Sequence, residues 1–356
     1  MPVLRAFALL ATMLSGCAGG SRPPILAPVE RPFAPDEPPF FAVQRIPVRA
    51  GLRQAYNHTA SLVALPDGEL LAAWGAGSRE LGPDTAIYLA RRGANGIWLA
   101  PIVAADKPGY ADANCVLFRD DRGAVHLFYV EMFGRTFCEG RVMTRRSIDA
   151  GHSWSAPRVL LPVVCTMIKN PPIVLRSGRW VLPTYVEAFS ASQFWTSDDR
   201  GRTWQAGKLL YTRPSNLQPA VVERSDGSLL ALMRRAGPES FTWQGVSTDG
   251  GRTWTLSKRE DLLNPGAGLH LLRHSSGSFI LAYNDHATRR SPLVVRVSRD
   301  EGRTWGPPRV ISEGEGQRSY PTLAETPDGR IHLVFTEKLE AIAHAEFNLA
   351  WAGGDS

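Results

Sequence analysis

Cysteine is scarce in this sequence, basic runs are missing, and beyond the N-terminal residues no apolar stretch is long enough to cross a bilayer. The four cysteines, Cys17, Cys115, Cys138 and Cys165, have no metal-site spacing, and no motif calls for a metal or a cofactor. No cluster of Lys and Arg interleaved with aromatics appears, which excludes nucleic acid as the partner. The apolar run from Ala6 to Leu14 is too short to span a membrane. Preceded by Arg5 and followed by Leu14-Ser15-Gly16-Cys17, it reads as a secretory signal ending in a lipobox. Residues 1–16 are then the signal peptide, and Cys17 takes a diacylglyceryl group and anchors an extracytoplasmic lipoprotein, in the periplasm or on the outer membrane. Residue 18 is Ala and not Asp, which favours the outer membrane. Residues 17–40, rich in Gly, Pro and Ser, form a flexible tether.

With Cys17 assigned to the lipid, an odd number of cysteines remains, so at most one disulfide forms; the expectation is that all three are small buried hydrophobes. Lys and Arg number 40 against 34 Asp and Glu; removing the signal takes away only Arg5, so 39 − 34 leaves +5, a balance that suits acidic glycans.

Against these absences stands a repeat. Ser147–Trp154, Ser197–Trp204, Ser247–Trp254 and Ser298–Trp305 all fit SxDxGx[ST]W, and Asp149, Asp199, Asp249 and Asp300 are 50, 50 and 51 residues apart. The aspartate can accept bonds from nearby backbone N–H groups, the glycine permits positive φ, and the tryptophan packs inward, so the box is a structural turn. In step with it, six strand–turn–strand segments centre on Gly68, Gly123, Gly178, Gly227, Gly277 and Gly329. Units of about 50 residues repeated this way predict an all-β, six-bladed β-propeller over residues 41–350, a single domain and a monomer. The last blade lacks a strand after the segment starting at Ala341, and the segment from Phe40 is expected to supply it and close the ring.

The boxes and the hairpins between them resemble the sialidase (neuraminidase) superfamily, in its bacterial BNR-repeat branch, where the turn is called the Asp box. That resemblance implies an exo-acting glycoside hydrolase that releases a terminal acidic sugar, with an arginine triad on the substrate carboxylate, a tyrosine nucleophile paired with a glutamate, and an aspartate as acid/base. A neutral tyrosine suits a carbon that already bears a carboxylate, which would repel an anionic nucleophile. By motif, Tyr320 in RSYPTLAETPDG falls at the nucleophile, Arg290 at the third triad arginine and Arg234 at the second, with Arg235 a rival for the register. Arg79 and Asp84 match the loop that carries the acid/base, and Asp84 alternatively caps a turn after Pro83. His58 stands at the first triad arginine and Gln218 at the glutamate, so Tyr320 needs another activator, such as Glu187 or the charges of Arg234 and Arg290. The RIP at Arg45–Pro47 lies 13 residues early and reads as part of the closing strand.

Other polar residues at strand ends face the same centre: Asn57, Lys169, Asn170, Tyr185, Asn264, His270, Asn284 and Asp285. Two further readings stay open. One is a hydrolase or lyase of the same fold for another acidic or rare glycoside, a uronate or rhamnoside, with Tyr320 and His58 as acid and base; the other is a non-catalytic glycan-binding lipoprotein.

Overall fold

A computed structural model describes residues 37–48, 55–237 and 240–354. The expected signal peptide, Cys17 and nearly all of the expected tether lie outside the described residues. Among the described residues no helix is long and apolar enough to cross a membrane.

The chain forms six antiparallel sheets around one axis, a six-bladed β-propeller. The first blade runs from the strand Tyr56–Ala64 at the axis through Leu70–Gly77 and Ala86–Arg92 to Ile102–Ala105 at the rim. The second starts at Asp112–Arg119, the fourth at Ser215–Glu223, the fifth at His270–Arg273 and the sixth at Arg318–Glu325. The third blade's inner strand is broken into Thr166–Ile168 and Ile173–Val174, because Pro171 and Pro172 have no N–H for the ladder. The strand Phe41–Arg45 completes the sixth blade by pairing with Ala341–Phe347, which joins both ends of the chain in one sheet. The ring therefore closes as the sequence implied, and Ile46 of the RIP is buried beside that strand, its N–H bonded to the Ile342 carbonyl.

Blades pack face to face, so both faces of a middle strand are interior. Leu70–Gly77, Trp180–Val186 and Phe279–Asn284 are buried along their whole length. The core is correspondingly divided into six apolar clusters, one for each junction between neighbouring blades.

One helix was not expected, and one expectation needs correction. The last strand stops at Phe347, where Asn348 caps a short helix, Leu349–Gly353, by accepting the Trp351 N–H. Cys138 and Cys165 form a disulfide, since the loop after the strand Val125–Met132 folds back onto the entry to the third blade, and among the described residues only Cys115 is a free buried thiol.

The four boxes are turns stitched by their own side chains. In one, the Ser197 hydroxyl donates to Asp199 and accepts the Gly201 N–H at 2.7 Å, while the Thr203 N–H donates to Asp199 at 2.9 Å. Bonds from the Thr203 hydroxyl and N–H and the Ser197 hydroxyl hold the Asp199 carboxyl down at about 2.

Candidate active site

Four of the inner strands carry a bulge at the same depth. Pairing slips between His58 and Ser61, Ala113 and Val116, Leu217 and Ala220, and Ser319 and Thr322. Within each slip one non-glycine residue takes a left-handed backbone: Thr59 (φ 55°), Asn114 (φ 44°), Gln218 (φ 55°) and Tyr320 (φ 56°). Such a conformation costs on the order of 1–3 kcal/mol per residue and gathers where a side chain must be re-aimed. Tyr320 and Gln218 are both turned towards the axis by this device. They meet at Gly268 of the fifth blade, where an added Cβ would stand 3.1 Å from Tyr320 Cδ1, 3.1 Å from Gln218 Oε1 and 3.3 Å from Lys169 Cε.

Around Tyr320 the charged groups converge. Its ring meets His58 edge-on, centroids 4.3 Å apart, and the Arg290 guanidinium lies 5.4 Å from its centre. Arg234 and Arg290, from neighbouring blades, both donate to the Gly266 carbonyl, at 2.6 and 3.3 Å. Asn264 sets that carbonyl by accepting the Gly266 and Ala267 N–H groups at 2.8 and 2.9 Å. Arg234, rather than Arg235, is thus the arginine that shares an acceptor with Arg290; Arg235 is buried and pairs across to Asn216 in the ladder.

His58 is buried, with Nδ1 2.9 Å from the Thr336 hydroxyl. Burial, and then the charges of Arg290, Lys169 and Arg234, push its imidazole down to about 3. It is a neutral ring among three cations, and at that value a very weak base. Gln218 donates its amide to the Tyr185 hydroxyl at 3.3 Å, Asn114 donates to the same oxygen at 2.9 Å, and Gln218 Oε1 has no hydrogen-bond partner among the described residues. Burial raises the Tyr185 phenol, and the neighbouring Glu187 carboxylate adds to the effect. Glu187 is half-buried; burial raises its carboxyl and Arg234 opposes that. The turn Glu187–Phe189 is tied down at Cys165, whose carbonyl accepts the Glu187 N–H at 3.2 Å.

The loop expected to carry the acid/base is exposed, so Asp84 is not desolvated. Its two carboxylate oxygens accept the Ser78 N–H at 3.0 Å and the Ser78 hydroxyl at 2.8 Å, a turn cap. Arg79 is exposed and its carbonyl accepts the Thr85 hydroxyl, which closes the same loop. Glu80, which the sequence did not single out, is the carboxylate beside Tyr56; burial and then Glu80 raise that phenol. Tyr56 in turn stands 5.7 Å from His58. Three other residues named from sequence serve the frame. Asp285 pairs with Arg296 at 2.9 Å, Asn284 bonds the Pro292 and Arg318 carbonyls, and Asn170 bonds the Pro219 carbonyl. Gly266 and Gly268 left no signal in the sequence, because their roles depend on what faces them.

With this geometry in view, the likeness to known proteins has a definite meaning. The BNR repeat-like domain matches residues 68–333, most of the propeller. The chain belongs to this family, within the sialidase superfamily. Among relatives, a sialidase of Micromonospora viridifaciens is 27% identical across 97% of this chain and 60% of its own length. An anhydrosialidase of Macrobdella decora is 25% identical across 63% of this chain and 33% of its own length. The chain thus spans less than two thirds of these curated relatives. Among solved structures, the microbial sialidase Hz136 superposes with a TM-score of 0.73 at 18% identity, covering 83% of this chain and 66% of that one. A protein of unknown function from Dyadobacter fermentans superposes at 0.71 and 16%, covering 86% and 99%. At these identities the superpositions speak for the family's fold, and the chemistry rests on the site.

Proposed function

We propose that this protein is an exo-acting glycosidase of sialidase type that removes a terminal acidic sugar, with Tyr320 as nucleophile. The observation that carries the reading is the convergence of Arg234 and Arg290 on one carbonyl oxygen beside the Tyr320 ring. Two guanidiniums whose only shared acceptor is a neutral carbonyl keep other N–H groups for a substrate carboxylate, and that pairing fixes the anomeric carbon relative to the phenol.

In this reading the phenolic oxygen of Tyr320 bonds to the anomeric carbon as the glycosidic C–O bond breaks. Asp84, on its exposed loop, gives a proton to the leaving oxygen once substrate draws it from Ser78. Glu187 is the half-buried carboxylate that accepts the phenolic proton, in place of the absent glutamate at Gln218. Water then attacks the anomeric carbon and gives a proton to Asp84, while Tyr320 leaves and takes its phenolic proton back from Glu187. Elimination with His58 as the base is disfavoured, because an imidazole held at about 3 is too weak to remove a proton from carbon. The non-catalytic reading keeps one observation in its favour: the Gln218 amide is engaged by Tyr185 and cannot take a proton.

Tyr320→Phe decides between enzyme and binding module. Products from a panel of sialosides, uronosides and rhamnosides should include one released acidic sugar with the wild type and none with the variant. Equal release by both would remove Tyr320 from the chemistry.

A further inference from the structure

The third blade contributes no bulge to the centre. The first piece of its inner strand ends at Ile168, and Lys169 reaches across the axis to the sixth blade, which lies opposite in the ring. Only 4% of Lys169 is exposed. Its ammonium donates to the Pro321 carbonyl at 2.5 Å, to Asn170 Oδ1 at 3.1 Å and to the Thr322 hydroxyl at 3.3 Å, so all three N–H groups have acceptors. Pro321 and Thr322 directly follow Tyr320, and the lysine stem shares the Gly268 gap with the Tyr320 ring. Its charge reaches His58 together with those of Arg290 and Arg234.

We propose that Lys169 is the third cation of the substrate-anion site, acting from beneath the floor in place of the guanidinium that position 58 lacks, and that affinity for an acidic sugar follows the charge of this one amine. The inference rests on the acidic-sugar reading above and assigns its affinity to a residue below the site. A point charge held under the floor attracts an anion without making the bidentate fork of an arginine, and in a site shielded from water its influence extends over several ångströms.

The surroundings make the charge switchable. Burial pushes the Lys169 amine down to about 7. Three titratable groups that face it are held away from that range. The first blade offers His58, held at about 3; the second offers Cys115, its thiol pushed up to about 12; the fifth offers His270, held well below its usual range by burial. Gln218 and Tyr320 come from the fourth and sixth blades, and the Arg234 and Arg290 guanidiniums lie beyond them on the Gly266 carbonyl. Binding of an anion should therefore weaken as pH rises through about 7, where the amine loses its proton, and stay level for a neutral ligand.

Calorimetric titration of the full chain with an unsaturated sialic acid analogue, with glucuronic acid and with the methyl ester of each tests this between pH 6 and 8.5. For the wild type, Kd for a bound acid should rise about tenfold across that range while the ester stays level. K169M, close in shape and without charge, should show the weak, level value for the acid at every pH and the wild-type value for the ester. Parallel loss of acid and ester in K169M would mean a displaced Tyr320 segment and overturn the charge role. A level acid affinity in the wild type overturns it too, whether or not K169M folds. Failure of the wild type to bind either acid removes the acidic-sugar reading and this inference together, whereas acid binding equal in wild type and K169M removes this inference alone.

Discussion

At the scale of single residues, the site is built around what Gly268 leaves out. The gap at its Cα is shared by the Tyr320 ring, the Gln218 amide oxygen and the Lys169 stem, none of which has an alternative place because each is held by its own bulge or hydrogen bonds. A methyl group there meets three neighbours at 3.1–3.3 Å, closer than ordinary contact. Gly268→Ala is therefore expected to lower kcat/KM by one to two orders of magnitude while moving Tm by only a few degrees, a split that steady-state kinetics beside a thermal melt will show. An unchanged kcat/KM would mean that Tyr320 does not need its present position.

At the scale of elements, the chain keeps its repeated devices apart from its singular ones. The boxes lie on turns at the outer part of the blades, and each aspartate is occupied by its own turn. Asp199→Ala removes the acceptor for the Thr203 N–H and hydroxyl and for the Ser197 hydroxyl, so Tm should fall. Turnover per folded molecule should stay within a few-fold, because no box touches the Tyr320 cluster; an inactive but folded variant would contradict that separation. The bulges recur in four blades at the axis, and they and the third-blade turn each deliver a different side chain to the centre. Repetition supplies the ring, and departures from it supply the chemistry.

At the scale of the whole molecule, closure brings buried histidines together where the chain's ends meet. Trp98 has only a donor to offer, so His344 Nδ1 must accept it at 3.4 Å. His344 Nε2 then donates to His332 Nδ1 at 3.1 Å, His332 Nε2 donates to the Thr326 hydroxyl at 3.1 Å, and Thr326 donates to Asp328 at 2.6 Å. Every proton in this series is accounted for with both rings neutral, and a further proton would set two donors against each other. Burial accordingly holds His332 at about 3 and His344 well below its usual range, as it does His58 and His270. Folded values below the unfolded one of about 6.5 mean that the unfolded chain binds more protons, so this stability is present above about pH 6.5 and is lost as pH falls towards 3. Asp112, whose carboxyl burial pushes up to about 7, and Glu187, which burial also raises, oppose the trend, but they are two groups against four. Tm should therefore fall steadily from pH 7 to pH 4, and His332→Gln, which removes one titrating group, should flatten the profile. A level Tm over that interval would show that these rings are hydrated in solution.

The period of the boxes, the glycine turns and the shortage of strands in the last blade determined the architecture from sequence alone. They express local chemistry, turn geometry and the need to pair every edge, which are written within about 50 residues of one another. Tyr320, Arg234 and Arg290 were singled out through the resemblance of their motifs to the family's, and the structure brings the three together. What only the tertiary structure decided is how groups from different blades meet. The Gly266 carbonyl between two arginines, the Cys138–Cys165 pairing, the neutrality of His58 and the place of Lys169 under Tyr320 all join residues far apart in the chain. Ionisation follows from burial and neighbouring charge, and neither exists until the ring has closed.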